Sequence, residues 1–219
     1  TPVHAGYTHR YYGEVVAFFR DFFSGALKDN PNLFKGVLTG ILRVAKESLF
    51  SGLNNLGVYS LLRPEFAPYF GFTEPEVAEL AHAAGADDRM ADLRTWYNGY
   101  LFGGEVIYNP WSIINYLDSV DRVFRPYWVE TSSNDLVREL LLTGSGGVKA
   151  ELETLLAGGT IEAHIEENIV LRGLSPESDA LWSFLLFTGY LKLTELHPED
   201  EPPVGRLAIP NREVGGEIR

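Results

Sequence analysis

Thr39 and Arg43 place a hydroxyl and, four residues on, a guanidinium at the end of the apolar run 33–39. If that run is a buried strand, they stand beyond its carboxyl end, where open α/β sheets bind ligands. A planar cation of this kind matches the paired oxygens of phosphates and carboxylates. The amides of Asn54 and Asn55 follow Gly52-Leu53; such a pair binds a ligand or stabilises a turn, and the spacing favours the turn. In Asn109-Pro110 the asparagine caps a helix and the proline occupies its first position, an arrangement contributing about 1 kcal/mol of helix stability.

Other chemistries find no support. There is no cysteine, which excludes a disulfide scaffold, a thiolate metal site and a cysteine nucleophile. His4, His9, His82, His164 and His197 never form the H-E-x-x-H pattern of a zinc site. Asp87-Asp88 and Glu166-Glu167 are adjacent in sequence, so their carboxylates diverge on a helix and read as solvated faces. Ser48, Ser51 and Ser133 lack the G-x-S-x-G context of a hydrolase nucleophile. Gly144-Ser145-Gly146-Gly147 lacks the lysine and the preceding strand of a phosphate loop, and reads as a linker.

The elements that must position these residues follow from periodicity. Apolar residues three to four apart predict an amphipathic helix over 11–27. Residues 33–39 and 58–62 read as buried strands, so a helix leading into a strand points to part of a parallel α/β sheet. Thr73, Pro75 and Glu76 open a helix over 74–84. Further helices are expected from just after Asp88 to Trp96 or Tyr97, over 111–117, 136–142 and 148–156, and, capped by Ser178 or Asp179, through Phe187. Residues 190–196 alternate apolar with polar and pair with 205–209 across an acidic, proline-rich tip, 197–203. Helices followed by such a hairpin look like a winged helix.

The 219 residues suffice for one or two domains at about 150 residues each, with 45% apolar and 22% charged residues. Net charge is −12, and residues 150–219 hold −8 of it, from 5 basic and 13 acidic groups. Phosphate backbones require a cationic face, so nucleic acid is not an expected partner. No run approaches a membrane span and no signal pattern opens the chain, so a soluble, cytoplasmic protein without membrane partners is expected. The start at Thr1 and the polar run 211–219 read as the ends of an excised segment.

Residues 38–56, LTGILRVAKESLFSGLNNL, resemble the signature of the AAA-ATPase-like proteins of bacteria and archaea, P-loop ATPases usually fused to a PD-(D/E)XK nuclease-like domain. Gly71-Phe72-Thr73-Glu74, Trp96-Tyr97-Asn98-Gly99-Tyr100, Tyr108-Asn109-Pro110, Tyr127-Trp128-Val129-Glu130-Thr131 and Thr188-Gly189-Tyr190-Leu191 agree with it in order. The resemblance implies an α/β remnant of the P-loop sheet over 1–62, a mainly helical lid over 63–125 and a winged-helix-like α+β region over 126–219.

By that resemblance the phosphate loop and the acidic strand belong to an upstream segment of the same chain, and the nuclease-like domain lies downstream. The partners are then nucleotide and those two segments. ATP and Mg²⁺ are the implied cofactors of the parent, whereas this portion alone should hold neither tightly, because phosphoryl transfer needs a glycine-lysine cradle and Mg²⁺ ligands. Thr39 would orient the attacking water or touch the terminal phosphate, or else simply end a strand. Arg43 would offset transition-state charge, or else pair with Glu47. Lys46 is a weaker candidate. Asn109 and Pro110 would lie against the nucleotide at the start of a lid helix. Trp96, Tyr97 and Tyr100 either stack on adenine or pack in the core, with packing favoured. The alternative functions are a nucleotide-independent protein-interaction module and, less favoured on charge, a winged-helix DNA reader.

Overall fold

The structure is a computed structural model that describes residues 5–6, 9–40, 56–128, 137, 140–141, 143–169 and 179–217. It is a mixed α/β protein in which helices alternate with small antiparallel sheets. Helix α1, Tyr12–Leu27, is amphipathic as its spacing requires, yet only Tyr12 and Val16 are buried along it. Lys28 closes it through its N–H to the Ser24 carbonyl.

Beyond α1 the chain departs from expectation. Residues 33–39 form no strand, and Phe34 is 100% and Val37 79% exposed. Residues 58–62 likewise form no strand, although Leu61 and Leu62 pack on the second core described below. The expected parallel sheet is therefore not formed by the described residues. A strand needs at least one hydrogen-bonded neighbour, and the described strands all pair with one another in two antiparallel sheets.

Helix α2, Glu74–Ala83, begins with the capping box read from Thr73 and Glu76: the Thr73 N–H and hydroxyl both donate to the Glu76 carboxylate, at 2.8 and 2.7 Å. These bonds hold the Glu76 carboxyl below the usual glutamate range. A short 3₁₀ turn, Asp87–Arg89, leads into α3, Met90–Tyr97. Strands β1, Tyr100–Phe102, and β2, Glu105–Ile107, then make a hairpin at Gly103-Gly104. Gly103 has φ +53°, and a Cβ there would lie 2.1 Å from the Arg63 carbonyl oxygen, so the turn takes only glycine. Helix α4, Pro110–Asp118, follows. Val77, Ala81, Leu93, Tyr97, Tyr108, Ile113 and Tyr116 make the first core.

The helix expected over 136–142 lies largely outside the described residues. Helix α5, Gly146–Leu156, leads to β3, Ile161–His164, and then α6, Asp179–Phe187, is buried from Leu181 to Leu186. Strands β4, Lys192–His197, and β5, Val204–Ala208, form the expected antiparallel hairpin, and β3 adds to its other side in the order β3-β5-β4. Ile161 and Leu193 both sit opposite Leu207, so one face of the sheet lies on α6 and makes the second core. On the opposite face Arg206 bridges Glu162 and Glu195. The chain turns at Asn211, whose side chain accepts from the Val214 N–H at 3.1 Å, into α7, Arg212–Glu217.

Among the described residues, no helix is long and apolar enough to cross a membrane.

Candidate functional site

Of the sequence-derived site residues, Asn109 and Pro110 are fully positioned. The Asn109 side-chain oxygen accepts from the Trp111 N–H at 3.0 Å, and Pro110 occupies the first turn of α4. The Asn109 backbone N–H donates to the Tyr97 carbonyl at 3.1 Å, which fixes the start of α4 to the end of α3. The cap predicted from residue type is thus made. Thr39 is exposed on the unpaired run after α1. Arg43 and Asn54, with Lys46 and Asn55, lie outside the described residues.

The aromatic group resolves toward packing. Tyr97 is fully buried, its hydroxyl donating to the Arg125 carbonyl at 3.0 Å and accepting from the Arg125 N–H at 3.2 Å. Tyr100 is buried in the same region, and Trp96 lies under the Arg212 guanidinium, 5.0 Å from the ring centroid. Burial pushes the hydroxyls of Tyr97 and Tyr100 well above the ordinary tyrosine value.

These residues border a seam where the two cores meet, and the seam holds the most unusual side chain of the described residues. Glu213, in the first turn of α7, is 0% exposed. The Ser112 hydroxyl of α4 donates to its two oxygens at 3.0 and 2.9 Å, and the Trp128 N–H donates at 2.8 Å. Burial raises its carboxyl to about 7, with the bonds from Trp128 and Ser112 pulling the other way. Gly99 crosses the seam with φ +100°, and a Cβ there would lie 2.3 Å from the Pro210 carbonyl oxygen. The Trp128 and Tyr190 rings close one side, their centroids 5.5 Å apart. The Ser60 hydroxyl donates to Glu167 at 2.5 Å, a second tie from the middle of the chain to the α+β part.

Sequence reasoning missed Glu213, Ser112 and Trp128 as a group. An asparagine followed by an acidic residue in the next turn is a helix-start signal that would have found α7. Nothing in residue type shows that Glu213 turns inward.

A shallow cleft of about 200 Å³ lies beside the seam, lined by Leu61, Leu62, Leu101 and Leu193 among others. Among the described residues no three acidic or histidine side chains gather as a metal site.

No family model matches the chain, and no solved structure matches it. It is similar to "Uncharacterized protein in vnfD 5'region" of Azotobacter chroococcum mcd 1, with 32% identity over 203 residues. That alignment covers 92% of this chain but 36% of the relative, so the chain spans about a third of the length of the curated protein it matches.

Proposed function

We propose that this chain supplies the sensor, lid and winged-helix-like parts of a longer cytoplasmic P-loop ATPase, in which nucleotide binding shifts the lid against the α+β region. The observation that carries the reading is the place of Asn109-Pro110: they open α4 three residues before Ser112, which bonds Glu213 of the α+β part. A ligand resting on the start of α4 would therefore bear on both cores at once. To bias the two arrangements it must contact them unequally.

Two further features support the same reading. Helices α2 to α4 precede an α+β unit that carries an antiparallel hairpin, the order the motif resemblance implies for a lid and a winged-helix-like region. Phe18 and Phe22 on α1 and Phe34 beyond it are exposed, as suits an amphipathic helix and apolar run that pack against a parallel sheet in the longer protein. There the phosphate loop of an upstream segment would grip ATP and Mg²⁺, while Thr39 and Arg43 approach the phosphates, Asn54 hydrogen-bonds the ligand and Asn109-Pro110 lie against the nucleotide.

The test is ATP binding and turnover by the full-length polypeptide, with Thr39→Ala and Arg43→Ala. Loss of one charge-stabilising donor should lower turnover about 100-fold. Full activity in both variants overturns the assignment. The exposed aromatics of α1 also favour a second reading, a docking module without nucleotide; it requires that the full-length protein bind no ATP.

A further inference from the structure

We infer that Glu213 is a proton-dependent latch between the helical part and the α+β part of this protein, closed when its carboxyl is neutral and loosened when it is charged. This inference stands apart from the nucleotide reading, because it rests on the seam alone.

The geometry is that of an interlock. Glu213 belongs to α7, which packs on α3, and its two hydrogen-bond donors come from elsewhere, Ser112 from α4 and the Trp128 N–H from the chain leading into the second core. Ser112 is itself 0% exposed, so the bond lies wholly inside the protein. Separating the two cores must break all these contacts together.

The charge balance at the seam gives the latch its direction. A buried carboxylate is tolerated when a cation pairs with it, whereas the hydrogen bonds to Glu213 among the described residues come from the neutral Ser112 hydroxyl and Trp128 N–H. The neighbouring cations are engaged elsewhere: Arg212 lies over Trp96, and the Lys192 ammonium donates to the Pro210 carbonyl at 3.5 Å. The other titratable groups around it are Tyr97 from α3, Tyr100 from β1, Tyr127 beside Trp128 and Tyr190 beyond α6, with Arg125, which lies over Tyr127 and is paired to Asp121. Tyrosines are neutral across the pH range 5 to 9. Glu213 is therefore the seam group that changes charge there. A neutral carboxyl still accepts from Trp128 and offers its O–H to the Ser112 hydroxyl, which both donates and accepts.

The sign follows from the two states. Released to solvent, the carboxyl titrates at the ordinary 4.5, whereas in the seam it is raised to about 7. Below the first value it is neutral in both states and the latch costs nothing. As pH rises between the two, the released form loses its proton first, so opening becomes steadily easier, and above about 7 the full penalty applies.

Hydrogen exchange on the full-length protein at pH 5.5, 7 and 8.5, corrected for intrinsic rates, tests this. Protection of α4, α7 and the amide of Trp128 should fall at least tenfold from pH 5.5 to 8.5, and Glu213→Gln, neutral at every pH, should abolish that fall. An equal fall in wild type and Glu213→Gln, or no fall in wild type, overturns the latch. Should Glu213→Gln fail to fold, Ser112→Ala decides: removing a donor that favours the anion should deepen the loss at pH 8.5, and an unchanged profile overturns the proposal.

Discussion

Helices α1 and α6 are both rich in large apolar residues, but their environments differ. In α6 every residue from Leu181 to Leu186 is buried beneath the β3-β5-β4 sheet. In α1 Phe18 stays 63% and Phe22 57% exposed. The comparison teaches that periodicity identifies the face a helix must bury but not what buries it. For α6 the partner is in hand; for Phe18 and Phe22 of α1 it is what the proposed ATPase would have to supply.

Truncation is the strongest way to sharpen this contrast. Phe184→Ala removes a ring that is 5% exposed and should cost about 3–5 kcal/mol, read as a large drop in thermal midpoint. Phe22→Ala in the 219-residue chain should fall within about 0.5 kcal/mol, since its ring faces solvent. The contrast breaks if the two variants melt alike. It sharpens if Phe22→Ala becomes costly only in the full-length protein.

The seam is intermediate between these extremes. Gly99→Ala places a Cβ against the Pro210 carbonyl at an unfavourable φ and should cost about 1–3 kcal/mol, with the loss confined to contacts between the cores. Equilibrium unfolding with probes in each core would show the two transitions separating; a single unchanged transition contradicts the role given to this crossing. Asn109→Ala removes only a cap and should cost about 1 kcal/mol by the same measurement.

Much of the helical part was legible because its signals are local. Thr73 with Glu76 and Asn109 with Pro110 make the caps that their types predict, and β4 pairs with β5 as alternation requires. The hairpin of β1 and β2 was not legible: its strands have three residues each, too few to show a period. Residues 33–39 have the composition of a buried strand, but composition cannot supply neighbours, and the run is exposed. For the candidate site the sequence located Asn109 and Pro110 on a helix start, while the Glu213 contact spans 101 residues and no local pattern reports it.

In the proposed function, nucleotide acts at the start of α4 in the longer protein. Hydrogen exchange of the full-length polypeptide with and without ATP·Mg²⁺ addresses it directly. Slower exchange across 109–118 and at the Trp128 amide on adding nucleotide is the predicted result; identical exchange there under saturating ATP·Mg²⁺ would contradict it.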